Sequence, residues 1–131
     1  MIERKNKRSA RIGIFAVAHG VYWAQFPGLE DRILGFHADA QKLITANDVE
    51  LIDYGMVDSS EKAYKVLQKM QGDALDVIFC NMVTYATSSV YAPIIRDLNV
   101  PMVLLALQPL DAMDYEKANT FMQLENDAIC A

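Results

Sequence analysis

The sequence has few of the residues that mark a secreted, membrane or metal-binding protein. Its two cysteines, Cys80 and Cys130, form neither a disulfide framework nor a paired metal-ligand spacing. No apolar run reaches the roughly 18 residues that a membrane span needs. The N-terminus also lacks the apolar region of a signal peptide. These absences predict a cytoplasmic protein that makes no membrane contact.

Positive charge is also scarce. The 131-residue chain has 12 Lys and Arg against 17 Asp and Glu, and its net charge is −5. Nucleic-acid binding needs Lys and Arg on a folded face, whereas the basic cluster of this chain lies at its N-terminus. We therefore expect no nucleic-acid partner. Residues 1–10 are interpreted as a disordered basic lead, and residues 11–131 as a single domain with a real core.

Short apolar runs separated by helical patterns indicate an α/β domain. The predicted strands cover residues 11–18, 49–54, 75–82 and 101–107. The second run alternates, as expected of an edge strand, whereas the other three are continuous, which is typical of parallel strands buried on both faces. We expect a three-layer open parallel sheet of strand order 2-1-3-4 with helices on both faces, as in Rossmann and flavodoxin-like folds.

The predicted helices fill the intervals between the strands. They cover residues 29–46, 58–72 and 88–98, and a fourth helical stretch follows the last strand. Asp58 is the predicted N-cap of the second helix, with Glu61 completing a capping box and Gly72 ending the helix. His37 lies in the middle of the first helix, and we expect it at the surface or half-buried.

Ligands bind outside the carboxyl ends of the strands in such a sheet. The stretch "AVAHGVYWAQFPG" at the first of these ends has no phosphate-binding glycine pattern, which argues against dinucleotide binding. No acidic residue ends the first or third strand, which excludes a phosphoacceptor receiver site. The strand ends instead carry neutral hydrogen-bonding and aromatic residues: His19, Tyr22, Trp23, Asn81, Thr84, Tyr85 and Gln108.

Neutral hydrogen-bonding groups and rings of this kind suit a polyhydroxylated ligand such as a sugar. No metal-ligand cluster and no nucleophile with a base accompany them, so we predict no catalytic residue and no metal ligand in this chain. Structural alternatives stay open at this point. His19 could bond a loop carbonyl, and Gln108 could belong to a turn. Tyr22 and Trp23 could pack on a helix or form an oligomer contact.

Short motifs in one order support a family resemblance. In "AVAHGVYW", His19 and Tyr22 match the Gln and Tyr of a G-S-Q-x-L-Y-G motif. In "MVTYATS", Thr84 and Tyr85 match Thr-Phe of H-T-F-S-P, and in "PMVLLALQPL", Gln108 matches the second Gln of P-L-L-Q-F-H-T-Q-F-N. "NTFMQLENDA" is similar to D-F-M-N-L-N-Q. From about residue 11 the chain thus resembles the N-terminal domain of L-arabinose isomerases and the related L-fucose isomerase-like enzymes.

The resemblance implies a role in binding rather than in chemistry. Enzymes of that family interconvert aldoses and ketoses and bind Mn²⁺ through two Glu and two His of their central and C-terminal domains. Their N-terminal domain lines the sugar pocket of a neighbouring subunit in a homo-oligomer. For this chain, the resemblance implies substrate contacts, no cofactor of its own and no activity in isolation. The implied substrate-binding residues are His19, Tyr22, Thr84, Tyr85 and Gln108.

Two departures from the family motifs favour a paralogue acting on another sugar. His19 replaces the family's Gln, and Ala106 stands at the position of its His.

The apolar ending "DAICA" resembles the interior of an element, so we expect an N-terminal part of a longer protein. The alternative is a non-catalytic sugar-binding lobe, like half of a periplasmic or LacI-type binding protein.

Overall fold

Strands and helices alternate along the chain, as the apolar periodicity predicts. The computed structural model describes residues 8–126. In chain order the elements are β1 (Ala10–Val17), α1 (Tyr22–Gln25), α2 (Leu29–Thr45), β2 (Val49–Val57), α3 (Ser60–Gly72), β3 (Val77–Met82), α4 (Ser88–Asp97), β4 (Met102–Leu105) and α5 (Thr120–Glu125). Within the described residues, no helix has both the length and the apolar character of a membrane span.

The structure describes part of the predicted N-terminal lead and of the predicted C-terminal helical stretch. Residues 1–7 of the predicted lead lie outside the described residues, and Ala10 already belongs to β1. Arg8 forms an ion pair with Asp76, so the last residues of the lead contact the domain. The predicted helical stretch after the fourth strand is confirmed as α5, whereas the apolar ending lies outside the described residues.

All four strands are parallel and lie in the order β2-β1-β3-β4. β1 is central, because Ile12 lies beside Leu51 of β2 on one side and Val77 of β3 on the other. α3 and α4 pack on one face of the sheet, and α2 packs on the other. These three layers confirm the predicted α/β fold of the Rossmann or flavodoxin-like type.

Alternate residues of the strands build the core under α3 and α4. Phe15 and Val17 of β1 and Ile78 of β3 are completely buried there, against Met70 of α3 and Ile94 of α4. Each fully buried side chain of this size stabilises the fold by roughly 1.5–3 kcal/mol relative to an exposed one. This face therefore supplies much of the stability of the domain.

The opposite face carries small residues at the carboxyl end of β1. Ala16 of β1 and Ala18, which follows the strand, leave room for Leu29 and Ile33 of α2, and Leu124 of α5 completes the same cluster. Tyr22, Trp23 and Phe26 pack against it from the segment after β1. The helix after β4 therefore covers the carboxyl end of the sheet.

The two edge strands differ from each other. β2 is an edge strand, as its alternating pattern predicts, and a bulge shifts its register between Asp53 and Met56. Gly55 lies in this bulge with φ of 77°, a conformation that glycine adopts without steric cost. β4 is the other edge, and the prediction that its run is buried on both faces is wrong, because Val103 and Leu104 are exposed.

The start of α3 differs from prediction by one residue. Ser59, rather than Asp58, is the N-cap, and its hydroxyl accepts the N–H of Lys62 at 3.3 Å. Glu61 does not complete a capping box, because its carboxylate pairs with Lys65 at 2.7 Å. Asp58 precedes the cap, is buried, and makes a tertiary contact instead.

Candidate functional site

The topological switch of the sheet lies between β1 and β3. From β1 the chain goes to β2 on one side, whereas β3 lies on the other side, so the loops after β1 and β3 diverge at the carboxyl ends. Ala18 N–H donates to the Val57 carbonyl at 3.1 Å, and Val83 N–H donates to the Val17 carbonyl at 3.4 Å. Ligands of open parallel sheets bind at this position.

The short helix α1, which the sequence did not predict, sets His19 and Tyr22 edge to face. Tyr22 N–H donates to the His19 carbonyl at 3.1 Å. The two ring centroids lie 5.5 Å apart with an interplanar angle of 87°. The Tyr22 ring also meets Phe26 edge-on, at 6.3 Å between centroids. His19 and Tyr22 are both half-buried, so they form a fixed pair of rings that a ligand can still reach.

Trp23 ties the loop after β1 to the loop after β2. Its indole N–H donates to the Asp58 carboxylate at 2.8 Å, and Lys62 Nζ lies 2.9 Å from the same carboxylate. Gly20 N–H donates to the Asp58 carbonyl, and a Cβ at Gly20 would lie 3.1 Å from that oxygen. The indole nitrogen is therefore hydrogen-bonded within the protein.

Thr84 and Tyr85 follow β3 but have different surroundings. Thr84 is completely buried, and its hydroxyl donates to the Leu124 carbonyl at 2.6 Å. Tyr85 is exposed. A sugar can therefore reach Tyr85 directly, whereas it reaches Thr84 only if the bond to α5 breaks. The binding roles of both residues stay predictions.

Gln108 lies in the irregular segment after β4, where its amide nitrogen donates to the Asn126 carbonyl at 3.1 Å. Together with other residues up to Asn126 it surrounds a cavity of about 650 Å³, a volume typical of small-molecule sites. The polar residues of its lining are Gln108, Asp111, Tyr115, Asn119, Thr120, Gln123 and Asn126. Like Gln108, two further amides of the lining are bonded internally, because Asn119 caps α5 and Asn126 accepts the N–H of Leu110 at 3.2 Å.

The structure brings the predicted binding residues into two groups. His19 and Tyr22 contact each other through their rings. The end of α5 holds Thr84 through Leu124 and Gln108 through Asn126. Tyr85 directly follows Thr84, a member of the second group, in the sequence. α5 therefore connects motifs that lie far apart along the chain.

The sequence analysis did not predict a buried polar network that lies under α2. His37 is 2% exposed, so the prediction of a surface or half-buried position is wrong. Its Nε2 lies 2.9 Å from Asp53 Oδ1 of β2, and its Nδ1 lies 3.1 Å from Asn81 Nδ2 of β3. The spacing of His37 from Leu29 and Ile33 places it on the buried stripe of α2. That spacing is the signal by which the sequence could have identified it.

The network is fully hydrogen-bonded. In the tautomer whose Nδ1 accepts the Asn81 amide, His37 donates from Nε2 to Asp53. Gln41 and the N–H of Gly55 also donate to the Asp53 carboxylate, at 3.0 and 2.8 Å. Burial acts to raise the pKa of Asp53, but the hydrogen bonds from His37, Gly55 and Gln41 outweigh it and hold this pKa below its ordinary value. Asn81 thus serves the scaffold.

The described residues do not fit a manganese site. Between residues 8 and 126, no three His, Cys, Asp or Glu side chains are grouped so that they could hold a metal. Cys80 is completely buried in the core, and burial raises the pKa of its thiol to about 12. The Mn²⁺ that the resemblance implies has no donor set in this part of the chain, and we assign it no step here.

Comparisons with known proteins leave the family open. Neither a scan against protein-family models nor a search of curated proteins gave a match. The resemblance to sugar isomerases therefore depends on the motifs around His19, Thr84 and Gln108. What bears on the function is therefore the fold and the positions of those residues in it.

Proposed function

We propose that this chain is the N-terminal domain of a cytoplasmic sugar isomerase-like protein and supplies one wall of a pocket for a neutral sugar. The observation that carries the proposal is the His19–Tyr22 pair at the carboxyl end of β1, beside the switch point of the sheet. In this proposal the whole protein is an aldose–ketose isomerase and a homo-oligomer. Its Mn²⁺ ligands belong to further domains, and this chain contributes binding groups.

The chemistry of the pair supports a sugar ligand. Neutral imidazole offers one donor and one acceptor, and a phenol offers both, which matches the hydroxyls of a sugar. The aromatic rings can cover the C–H faces of the sugar. The edge-to-face contact orients both rings before a ligand arrives, so less conformational entropy is lost on binding.

Tyr85 and Gln108 extend the proposed wall. Tyr85 is exposed in the loop after β3, and Gln108 lies on the cavity that residues 108–126 surround. Thr84 supports the wall indirectly, because its hydroxyl holds α5 beside this loop.

An NMR titration of the 131-residue chain tests the proposal. The probes are L-arabinose, L-fucose and a panel of other aldoses and ketoses, each added without metal. We expect at least one sugar to shift the amide signals of His19, Tyr22 and Tyr85. His19→Ala should abolish these shifts. Tyr64→Phe, which alters an exposed tyrosine of α3, should leave them unchanged.

Two results would contradict the proposal. One is the absence of shifts with every sugar of the panel. The other is shifts confined to residues outside the loops after β1, β3 and β4. Circular dichroism of each variant confirms that a lost response does not come from unfolding.

A further inference from the structure

Asp58, in the loop after β2, is bonded to the loop after β1 at two points. Its carbonyl accepts the N–H of Gly20 at 3.1 Å, and its carboxylate accepts the indole N–H of Trp23 at 2.8 Å. Gly20 directly follows His19, and Trp23 directly follows Tyr22. Each ring of the proposed sugar site therefore adjoins a residue that is bonded to Asp58.

The bond from Gly20 continues the pairing of β1 with β2 beyond the ends of both strands. Ala18 N–H donates to the Val57 carbonyl at 3.1 Å, and the bond from Gly20 to Asp58 follows it outward. The two loops approach closely here, because a Cβ at Gly20 would lie 3.1 Å from the Asp58 carbonyl oxygen. This contact involves the backbone alone, so it does not depend on the side chain at position 58.

The carboxylate of Asp58 is buried and has donors from two elements. Its side chain is 7% exposed, and Lys62 of α3, whose side chain is half exposed, places Nζ 2.9 Å from it. A carboxylate tolerates burial when hydrogen-bond donors and a positive charge compensate for its lost hydration. Trp23 and Lys62 supply both, so the carboxylate has a defined position from which it holds the indole.

We propose that Asp58 is a positioning residue of the sugar site, whose carboxylate keeps His19 and Tyr22 edge to face by holding Trp23. The backbone bond from Gly20 fixes the chain after His19, whereas the chain at Tyr22 belongs to α1. A single helical turn such as α1 has little stability of its own. Without the carboxylate we expect α1 to take several orientations, in most of which the Tyr22 ring leaves His19.

The role of Asp58 rests on the proposed function, but its first test uses no sugar. Trp23 is the only tryptophan of the chain, so its indole N–H gives a single NMR signal of that type. In the wild type we expect this proton to exchange slowly with water. We also expect a nuclear Overhauser effect between the rings of His19 and Tyr22, whose centroids lie 5.5 Å apart. Asp58→Ala should speed the exchange and weaken the ring-to-ring effect.

The second test measures the affinity for L-arabinose, L-fucose or whichever sugar of the panel responds in the titration described above. The affinity depends on the fraction of molecules in which the two rings are in place. Loss of a hydrogen bond to a charged group lowers that fraction, so Asp58→Ala should raise the dissociation constant about tenfold. Asp58→Asn keeps an oxygen that accepts the indole N–H, so its ring contact and affinity should stay closer to those of the wild type.

Two lysines of α3 provide a matched control. Lys62 lies against the Asp58 carboxylate, whereas Lys65 pairs with Glu61 at 2.7 Å on the exposed surface. Lys62→Met should weaken the ring-to-ring effect, though less than Asp58→Ala does, and Lys65→Met should leave it unchanged. Circular dichroism confirms that each variant is folded. If Asp58→Ala does not fold, Trp23→Phe removes the same bond, and the ring contact and the affinity are measured in that variant.

Three results would overturn the proposal. The first is a ring-to-ring effect that is absent from the wild type, or that stays unchanged in folded Asp58→Ala or Trp23→Phe. The second is an unchanged dissociation constant in a variant that has lost the ring contact. The third is an Asp58→Asn variant that keeps a protected indole N–H but loses the ring contact. If no sugar responds, the proposed function fails, and the ring contact alone still decides whether Asp58 positions the pair.

Discussion

The two histidines of the chain have different surroundings, and these assign them different roles. His37 is buried, and both of its ring nitrogens are hydrogen-bonded, to Asp53 and to Asn81. A ring occupied on both sides has no group left for a ligand. His19 is half-buried at the carboxyl end of β1, with its ring against Tyr22. We therefore propose the sugar contact for His19 and not for His37.

Tyr22→Phe tests the proposed contact at the level of one hydroxyl. The change keeps the ring and its packing on His19 and Phe26 but removes the O–H. One neutral hydrogen bond contributes roughly 0.5–1.5 kcal/mol, so we expect the affinity for the responding sugar to fall by up to about tenfold. NMR titration gives the dissociation constant, and circular dichroism confirms that the variant is folded. An unchanged dissociation constant would make Tyr22 a packing residue only.

His37→Leu tests the buried network. Leucine fills the space but leaves the buried Asn81 amide without its partner, which costs about 1–3 kcal/mol of unfolding free energy. Equilibrium urea unfolding measures the loss. Adding Asn81→Leu should restore part of it, because replacing both partners removes the unpaired amide. If His37→Leu unfolds at the same midpoint as the wild type, the network does not stabilise the fold.

At the scale of elements, the aromatic residues after β1 have two functions. Trp23 holds the loop to Asp58, whereas Tyr22 turns toward His19. The first contact fixes the loop, and the second forms the proposed binding surface. The loop after β1 lacks the glycine-rich backbone of a phosphate site, and these side-chain contacts hold its shape.

Trp23→Phe measures how strongly that loop is held. The change removes the N–H donated to the buried Asp58 carboxylate. Hydrogen bonds to charged groups contribute about 1.5–3 kcal/mol, and because Trp23 is half-buried we expect a loss near the lower value. In a double-mutant cycle, the same change in an Asp58→Ala background should cost much less. Fully additive losses would show that Trp23 and Asp58 do not interact.

At the scale of the whole molecule, the groups of the proposed sugar site lie at the carboxyl end of the sheet. The carboxyl end of its sheet carries aromatic and amide groups, and the described residues form no metal-ligand cluster. Its two edges also differ, since β2 carries a bulge and a charged pair, whereas Val103 and Leu104 of β4 are apolar and exposed.

The 131-residue chain by itself should not isomerise any aldose, with or without added Mn²⁺. The ene-diol proton transfer implied by the resemblance needs a Lewis acid to polarise the carbonyl, and the described residues hold no donor set for one. Product analysis by chromatography after incubation with L-arabinose or L-fucose checks this expectation. Turnover by the purified chain would place a catalytic centre within it and would contradict our assignment of binding residues only.

The sequence was sufficient to predict the fold. Continuous apolar runs identified the strands, and amphipathic intervals identified α2, α3 and α4 almost to their ends. The sequence was less successful for β4, because an apolar run does not reveal whether both faces of the strand are covered, and Val103 and Leu104 are exposed. It also missed α1, which is a single turn without an apolar stripe of its own.

The sequence by itself determined the parallel sheet, its order and the end at which a ligand is expected, because burial patterns and crossover handedness are properties of the chain. Only the tertiary structure decided which polar groups remain for a ligand. Thr84 is bonded to Leu124, Asn81 to His37 and Trp23 to Asp58, although the partners of each pair lie far apart in sequence. The physical reason is that hydrogen bonds between distant residues depend on how helices dock on the sheet, and local patterns do not record that docking.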